Sequence, residues 1–131
     1  MQKEGDTLIT NVEDGQPIFL QVASMLEEGI ISGAYPEGGQ VPSITEISVA
    51  CKINPATALK GVNRLVEGGV LYKKRGLGMF VAAGARQALL AQHRELFYTD
   101  YIKPMLKEAK RLELTEQELT QMLRRGTDEH D

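Results

Sequence analysis

One cysteine in 131 residues, Cys51, leaves no partner for an intrachain disulfide, so nothing here calls for an oxidising compartment. Histidine is nearly as scarce. His93 and His130 stand alone, and no Cys/His spacing suits zinc. No apolar run approaches the ~20 residues of a membrane-spanning helix. The opening "MQKEGDTLITNVEDG" is polar and partly acidic, without the basic start and apolar centre of a secretory signal. Repeats with a period of roughly 20 to 50 residues are missing, as are low-complexity tracts. No nucleophile–base pair stands out, which argues against an enzyme. These absences point to a cytoplasmic protein without metal or cofactor, and 131 residues leave room for one domain of ordinary size or a small domain with an appendage.

Positive charge is also short, at a net −3 and a pI near 5.5, but it is not evenly short. From Lys52 to Arg86 seven cations (Lys52, Lys60, Arg64, Lys73, Lys74, Arg75, Arg86) meet one anion, Glu67. That window carries +6 and leaves −9 to the rest of the chain. Lysines scattered in solvent are the plain reading. A basic face on an acidic body is the sharper one, and phosphate is the natural partner of such a face.

The segment "QPIFLQVASMLEEGIISGAY" opens with Pro17, suited to a first helical turn, and repeats Phe19, Val22, Leu26 and Ile30 at helical steps. Gly33 supplies a stop, and "PEGGQVPS" reads as a loop. Ser43 and Glu46 form a capping box for a short helix that turns Ile44, Ile47 and Cys51 inward. After a tight turn at Lys52-Ile53, Asn54 caps a third helix with Pro55 in its first turn. Ala58, Val62 and Leu65 are its inward stripe, and Gly68-Gly69 ends it. The two middle helices are too close in sequence for anything but a sharp crossing, the helix-turn-helix arrangement.

"LYKKRGLGMFV" then reads as a β-hairpin whose glycines, Gly76 and Gly78, take positive φ at the tip. A dinucleotide-binding loop fails, because Val81 holds the third glycine position and a strand follows. A mere turn would explain the glycines but not Lys73, Lys74 and Arg75 beside them. On the third helix, Ala56, Thr57, Lys60, Asn63 and Arg64 fall opposite the buried stripe. Such a face is either plain solvated surface or one that enters a major groove, with small residues allowing close approach and cations reaching bases or phosphates.

This order of parts resembles the winged-helix domain of the GntR family of bacterial transcriptional regulators. The matching residues are "QPIFLQVASMLEEGIISGAYPEGGQVPSITEIS" and "NPATALKGVNRLVEGGVLYKKRGLGMFV". The short remainder, with "PMLKEAKRLELTEQELTQML", resembles the YtrA-type subgroup. The resemblance implies a mainly α fold with a small hairpin: an arm over 1–13, a winged helix-turn-helix over 14–83, a helical dimerisation segment over 84–126 and a frayed tail over 127–131. It implies double-stranded DNA as partner, with a recognition helix at about 54–67 and a basic wing at about 70–82. The expected DNA-facing residues are Ser43, Thr45, Asn54, Thr57, Lys60, Arg64, Lys74, Arg75 and Gly76, with a role as caps alone the other reading of Ser43 and Asn54. Three positions depart from the family's habit: Thr45 stands where arginine is common, Leu59 where a base is frequent, and Met79 where threonine usually follows the second wing glycine.

Beyond Gly84 the pattern is helical to about Arg111, with Pro104 expected to kink or restart the helix. Thr115 and Glu118 form a second capping box, opening a last helix that Gly126 is expected to end. Helices this small cannot bury their apolar faces on one small domain, so a second copy is the economical partner. Leu89, Leu96, Phe97, Tyr101, Ile102, Met105, Leu119, Met122 and Leu123 are the expected interface of that homodimer. A repressor binding an inverted-repeat operator follows. The alternatives are a winged-helix module docking an acidic protein and a sensor with a small-molecule effector of unspecified chemistry.

Overall fold

The computed structural model describes residues 16–129. The arm expected over 1–13 and the last two residues of the expected tail lie outside them. Two compact units divide the chain between Leu90 and Ala91.

The first unit begins with α1 (Ile18–Ser32). Pro17 stands one residue outside the helix rather than in its first turn, and its carbonyl accepts from the amides of Leu20 and Gln21 at 3.1 and 3.3 Å. Val22, Leu26 and Ile30 form the buried stripe with Ala23 beside them, and Gly33 ends the helix with φ 93°. The capping box of α2 (Ile44–Cys51) is complete: the Ser43 amide donates to Glu46 Oε1 at 2.8 Å, and the Glu46 amide donates to Ser43 Oγ at 3.0 Å. Lys52 then takes φ 58°, a left-handed conformation unusual outside glycine. Ser48 holds this turn on both sides, its hydroxyl donating to the Ile53 carbonyl at 2.7 Å while its carbonyl accepts from the Ile53 amide at 3.1 Å.

Asn54 Oδ1 accepts from the Ala56 amide at 2.7 Å and starts α3 (Pro55–Glu67), which buries Ala58, Gly61, Val62 and Leu65. Gly61 is the contact point with α1. A Cβ there would lie 2.7 Å from the Phe19 carbonyl oxygen and 2.8 Å from Val22 Cβ, so only glycine lets the helices approach this closely. Strands β1 (Leu71–Lys74) and β2 (Gly78–Val81) pair antiparallel, Leu71 opposite Val81 and Lys74 opposite Gly78. The loop before α2 does more than connect. Its Gln40 bridges Phe80, the Val41 amide donates to Met79 O at 3.0 Å, and the Val81 amide donates to Gly39 O at 2.9 Å. The hairpin therefore gains a third, short edge.

The unit does not end at residue 83. Gly84 turns the chain at φ 81°, and the first turns of α4 (Ala85–Phe97) bring Ala85 and Leu89 into the core. Leu89, expected at a dimer interface, is thus committed to the interior of its own domain. Arg86 Nε donates to the Ile31 carbonyl at 2.9 Å, tying α4 to the end of α1.

The second unit takes up the rest of α4, one π-helical turn (Tyr98–Ile102), α5 (Lys103–Arg111) and α6 (Glu116–Glu129). Pro104 explains the π turn. Proline clashes with the carbonyl four residues back, and widening the preceding turn relieves that contact; the Lys103 amide bonds instead to Tyr98 O, five residues back. α5 closes with Glu113 at φ 60°, the Leu114 amide donating to Ala109 O at 2.9 Å and the Glu113 amide to Lys110 O at 3.0 Å. Arg111 chelates Glu108 at 3.0 and 2.6 Å, which holds that exposed carboxyl below its usual range. The Thr115–Glu118 capping box forms as expected. Gly126 does not end α6. The helix runs on to Glu129, with the Thr127 hydroxyl donating to Leu123 O at 3.1 Å and an Arg125–Glu129 pair at 4.0 Å in its last turn. Residues 127–129 therefore belong to a helix rather than a frayed tail. Among the described residues no helix is long and apolar enough to cross a membrane.

Candidate nucleic-acid interface

The outer face of α3 is built by subtraction. Burying Ala58, Gly61, Val62 and Leu65 leaves Ala56, Leu59, Lys60, Asn63, Arg64 and Glu67 outside, and with Phe19 of α1 they line a shallow depression of about 510 Å³. Lys60 sets its ammonium 4.3 Å from the centre of the Phe19 ring, a cation–π contact that fixes one positive charge at the edge of the depression. Arg64 has no ion pair among the described residues. Thr57 is half-buried, and Thr45 is exposed at the start of α2. Ser43 and Asn54 are caps, as their first reading allowed. Capping uses Ser43 Oγ and Asn54 Oδ1 as acceptors, while the hydroxyl proton and the amide NH₂ of these exposed side chains stay available as donors.

The hairpin register sorts the run of three cations. Side chains alternate along a strand, so Tyr72, Lys74 and Phe80 share one face, while Leu71, Lys73, Met79 and Val81 share the other. On the first face, Lys74 lies 4.5 Å from the Phe80 ring and 5.9 Å from the Tyr72 ring. Lys73 and Lys74 thus leave the wing in opposite directions. Arg75 and Gly76 sit at the exposed tip beside Leu77. There the Leu77 amide donates to Lys74 O at 2.9 Å, and Gly76 and Gly78 take φ values of 79° and 120°.

Gln40 holds the tip from outside, its Nε2 donating to the Leu77 carbonyl at 2.6 Å. A Cβ on Gly78 would be strained at its φ of 120° and would fall 2.6 Å from that nitrogen, pushing the Gln40 side chain off the tip. Lys73 and Arg75 have no ion pair among the described residues. Wing and helix together present positive charge, with no ion pair to Arg64, Lys73 or Arg75 among the described residues. The arrangement offers hydrogen-bond donors and cations to a polyanion. Burial pushes the Cys51 thiol above its ordinary value, away from nucleophile behaviour. Among the described residues no group of three or more His, Cys, Asp or Glu side chains is placed to hold a metal.

A profile of the bacterial regulatory proteins of the gntR family matches residues 19–81, from the aromatic ring under Lys60 to the end of β2. Residues 19–81 are a GntR-family domain. Proteins of this family are DNA-binding transcription regulators rather than enzymes. The HTH-type transcriptional regulator YhcF of Bacillus subtilis is 23% identical over 116 residues, 88% of this chain and 94% of its own. The HTH-type transcriptional repressor YtrA of the same organism is 27% identical over 74 residues, 56% of this chain and 57% of its own. In three dimensions, a GntR-family transcriptional regulator of Bacteroides thetaiotaomicron matches with a TM-score of 0.73 at 28% identity, covering 87% of this chain and 99% of that one. That likeness reaches beyond the GntR-type domain. Sequence reasoning had passed over Phe19 and Gln40 as parts of this surface. Gln40, the polar residue between Gly39 and Val41 in a loop of Pro and Gly, was the available signal.

Proposed function

We propose that this GntR-type regulator is a repressor that binds an inverted-repeat operator as a homodimer, α3 in the major groove and the wing on the backbone or in the minor groove. The observation that carries the reading is the pairing of two cations without an ion pair among the described residues, Arg64 on α3 and Arg75 at the wing tip, with a helix face that apart from Leu59 is small, polar or charged. Helix side chains reach base edges in the major groove, and phosphates take the cations on either side. Ser43, Thr45, Asn54, Thr57, Lys60, Lys74 and Gly76 are the remaining contacts in this proposal.

Dimerisation is supported by the second unit, which leaves Leu96, Phe97, Tyr101, Met122 and Leu123 exposed. A two-fold axis would set two copies of α3 about 34–36 Å apart, one turn of DNA. Repression is the sign suggested by the named repressor among the relatives. Selecting bound fragments from sheared genomic DNA and footprinting them tests the whole reading. Two protected half-sites of opposite orientation, about 10 bp between centres, are expected. A single protected half-site would remove the dimeric operator, and failure to retain any fragment would remove DNA recognition altogether.

A further inference from the structure

Leu59 is the anomaly of the α3 surface. On a helix whose outer face is otherwise polar, charged or minimal in size, it leaves 43% of its surface exposed and lines the same depression as Ala56 and Asn63. An exposed leucine in isolation means little. This one sits one helical turn after Ala56, whose bare methyl lets a groove wall come close, and one turn before Asn63. It is also next to Lys60, whose ammonium rests 4.3 Å from the centre of the Phe19 ring. Among the groups that base pairs present in the major groove, the thymine 5-methyl is the one bulky apolar group, set among hydrogen-bond donors and acceptors. A leucine pressed against a donor or acceptor would leave that group unsatisfied, at a cost in affinity, whereas against a methyl it removes two apolar surfaces from water.

We propose that Leu59 is a specificity-determining residue that reads a thymine through its methyl group. The inference rests on DNA binding by α3, and it names the base at one position of the site. Leu59 makes no hydrogen bond with DNA in this scheme. Its discrimination comes from burying the methyl and from excluding base edges that need a polar partner.

The test uses the full chain and a random-sequence duplex pool. Sites enriched by the wild-type protein are resynthesised with each thymine replaced in turn by deoxyuridine, which deletes the methyl and nothing else. Affinities are measured at one salt concentration. One thymine in each bound half-site should be sensitive, its replacement weakening wild-type binding about four-fold, the worth of one buried methyl at ~0.8 kcal/mol. Leu59→Ala should bind the thymine and uracil sites equally and keep a thermal midpoint close to the wild type's, since Leu59 lies outside the buried core cluster. Leu59→Arg should move the selected base at that position from thymine to guanine, the partner of a bidentate guanidinium.

Sites indifferent to uracil at every position would overturn the inference and leave DNA binding intact. So would a thymine preference retained in full by Leu59→Ala. A pool from which no duplex is enriched would overturn both together.

Discussion

The two halves of this chain solve the burial problem in opposite ways. Through Leu90, three helices, a hairpin and the first turns of α4 gather a shared interior that includes Leu26, Ile30, Ile47, Val62, Leu71, Val81 and Leu89. From Ala91 onward, Ala109 is the buried residue among those described, while Leu96, Phe97, Tyr98, Tyr101, Leu106, Leu112, Met122 and Leu123 stay exposed. Both regions are comparably careful about their backbones: each has a complete capping box, and each ends a helix with a left-handed residue. Local hydrogen bonding is therefore not what separates them. The first region carries its own core, and the second is a set of well-formed helices whose apolar side chains stay largely exposed.

Truncating one side chain in each region is the sharpest way to break that contrast. Leu26→Ala should cost about 2–5 kcal/mol in denaturant unfolding, the usual range for a leucine emptied from a packed interior. Met122→Ala should leave the GntR-type domain's own unfolding unchanged. If the second copy covers that face, it should instead raise the protein concentration at which dimers form in sedimentation equilibrium. Equal losses at the two positions in dilute protein would mean that the second region has a core of its own. A smaller effect separates helix formation from packing. Gly126 lies inside α6, and a Cβ there would meet nothing within 4 Å, so Gly126→Ala should increase helicity by circular dichroism. The stabilisation should be roughly 0.5–1 kcal/mol. No gain, or a loss, would place Gly126 outside helical conformation.

That glycine also shows where sequence reading stops. A glycine after an amphipathic run is a stop signal only if the chain turns there. At Gly33 it does, with φ 93°, whereas at Gly126 the helical hydrogen bonds continue. The caps at Ser43, Asn54 and Thr115 were legible because capping depends on residues at most three apart. Gly61, by contrast, looks like a gap in the inward stripe of α3 until α1 is placed against it, and no local pattern reveals a carbonyl arriving from Phe19. Leu89 was misread for the same reason: helical periodicity assigns it to an apolar face but does not say whose interior that face meets.

The candidate interface divides along this line too. Composition located the positive charge, and the hairpin was evident from its glycines. That Lys73 and Lys74 leave opposite faces follows from register, and that Lys60 rests on Phe19 follows from the packing of α1 on α3. Pro104 announced an interruption, and its form as a π turn emerged from how the neighbouring amides found acceptors.

Salt dependence is the most direct test that the segregated charge serves DNA. Binding of a selected genomic duplex should weaken linearly in log–log form as salt rises, and Arg75→Ala should lower the slope by ~0.9, the value of one phosphate contact. Lys107→Ala, a neutralisation of equal size on exposed α5, should leave the slope unchanged. Equal slopes for all three proteins, or no salt-sensitive binding at all, would contradict a cationic wing that grips the backbone.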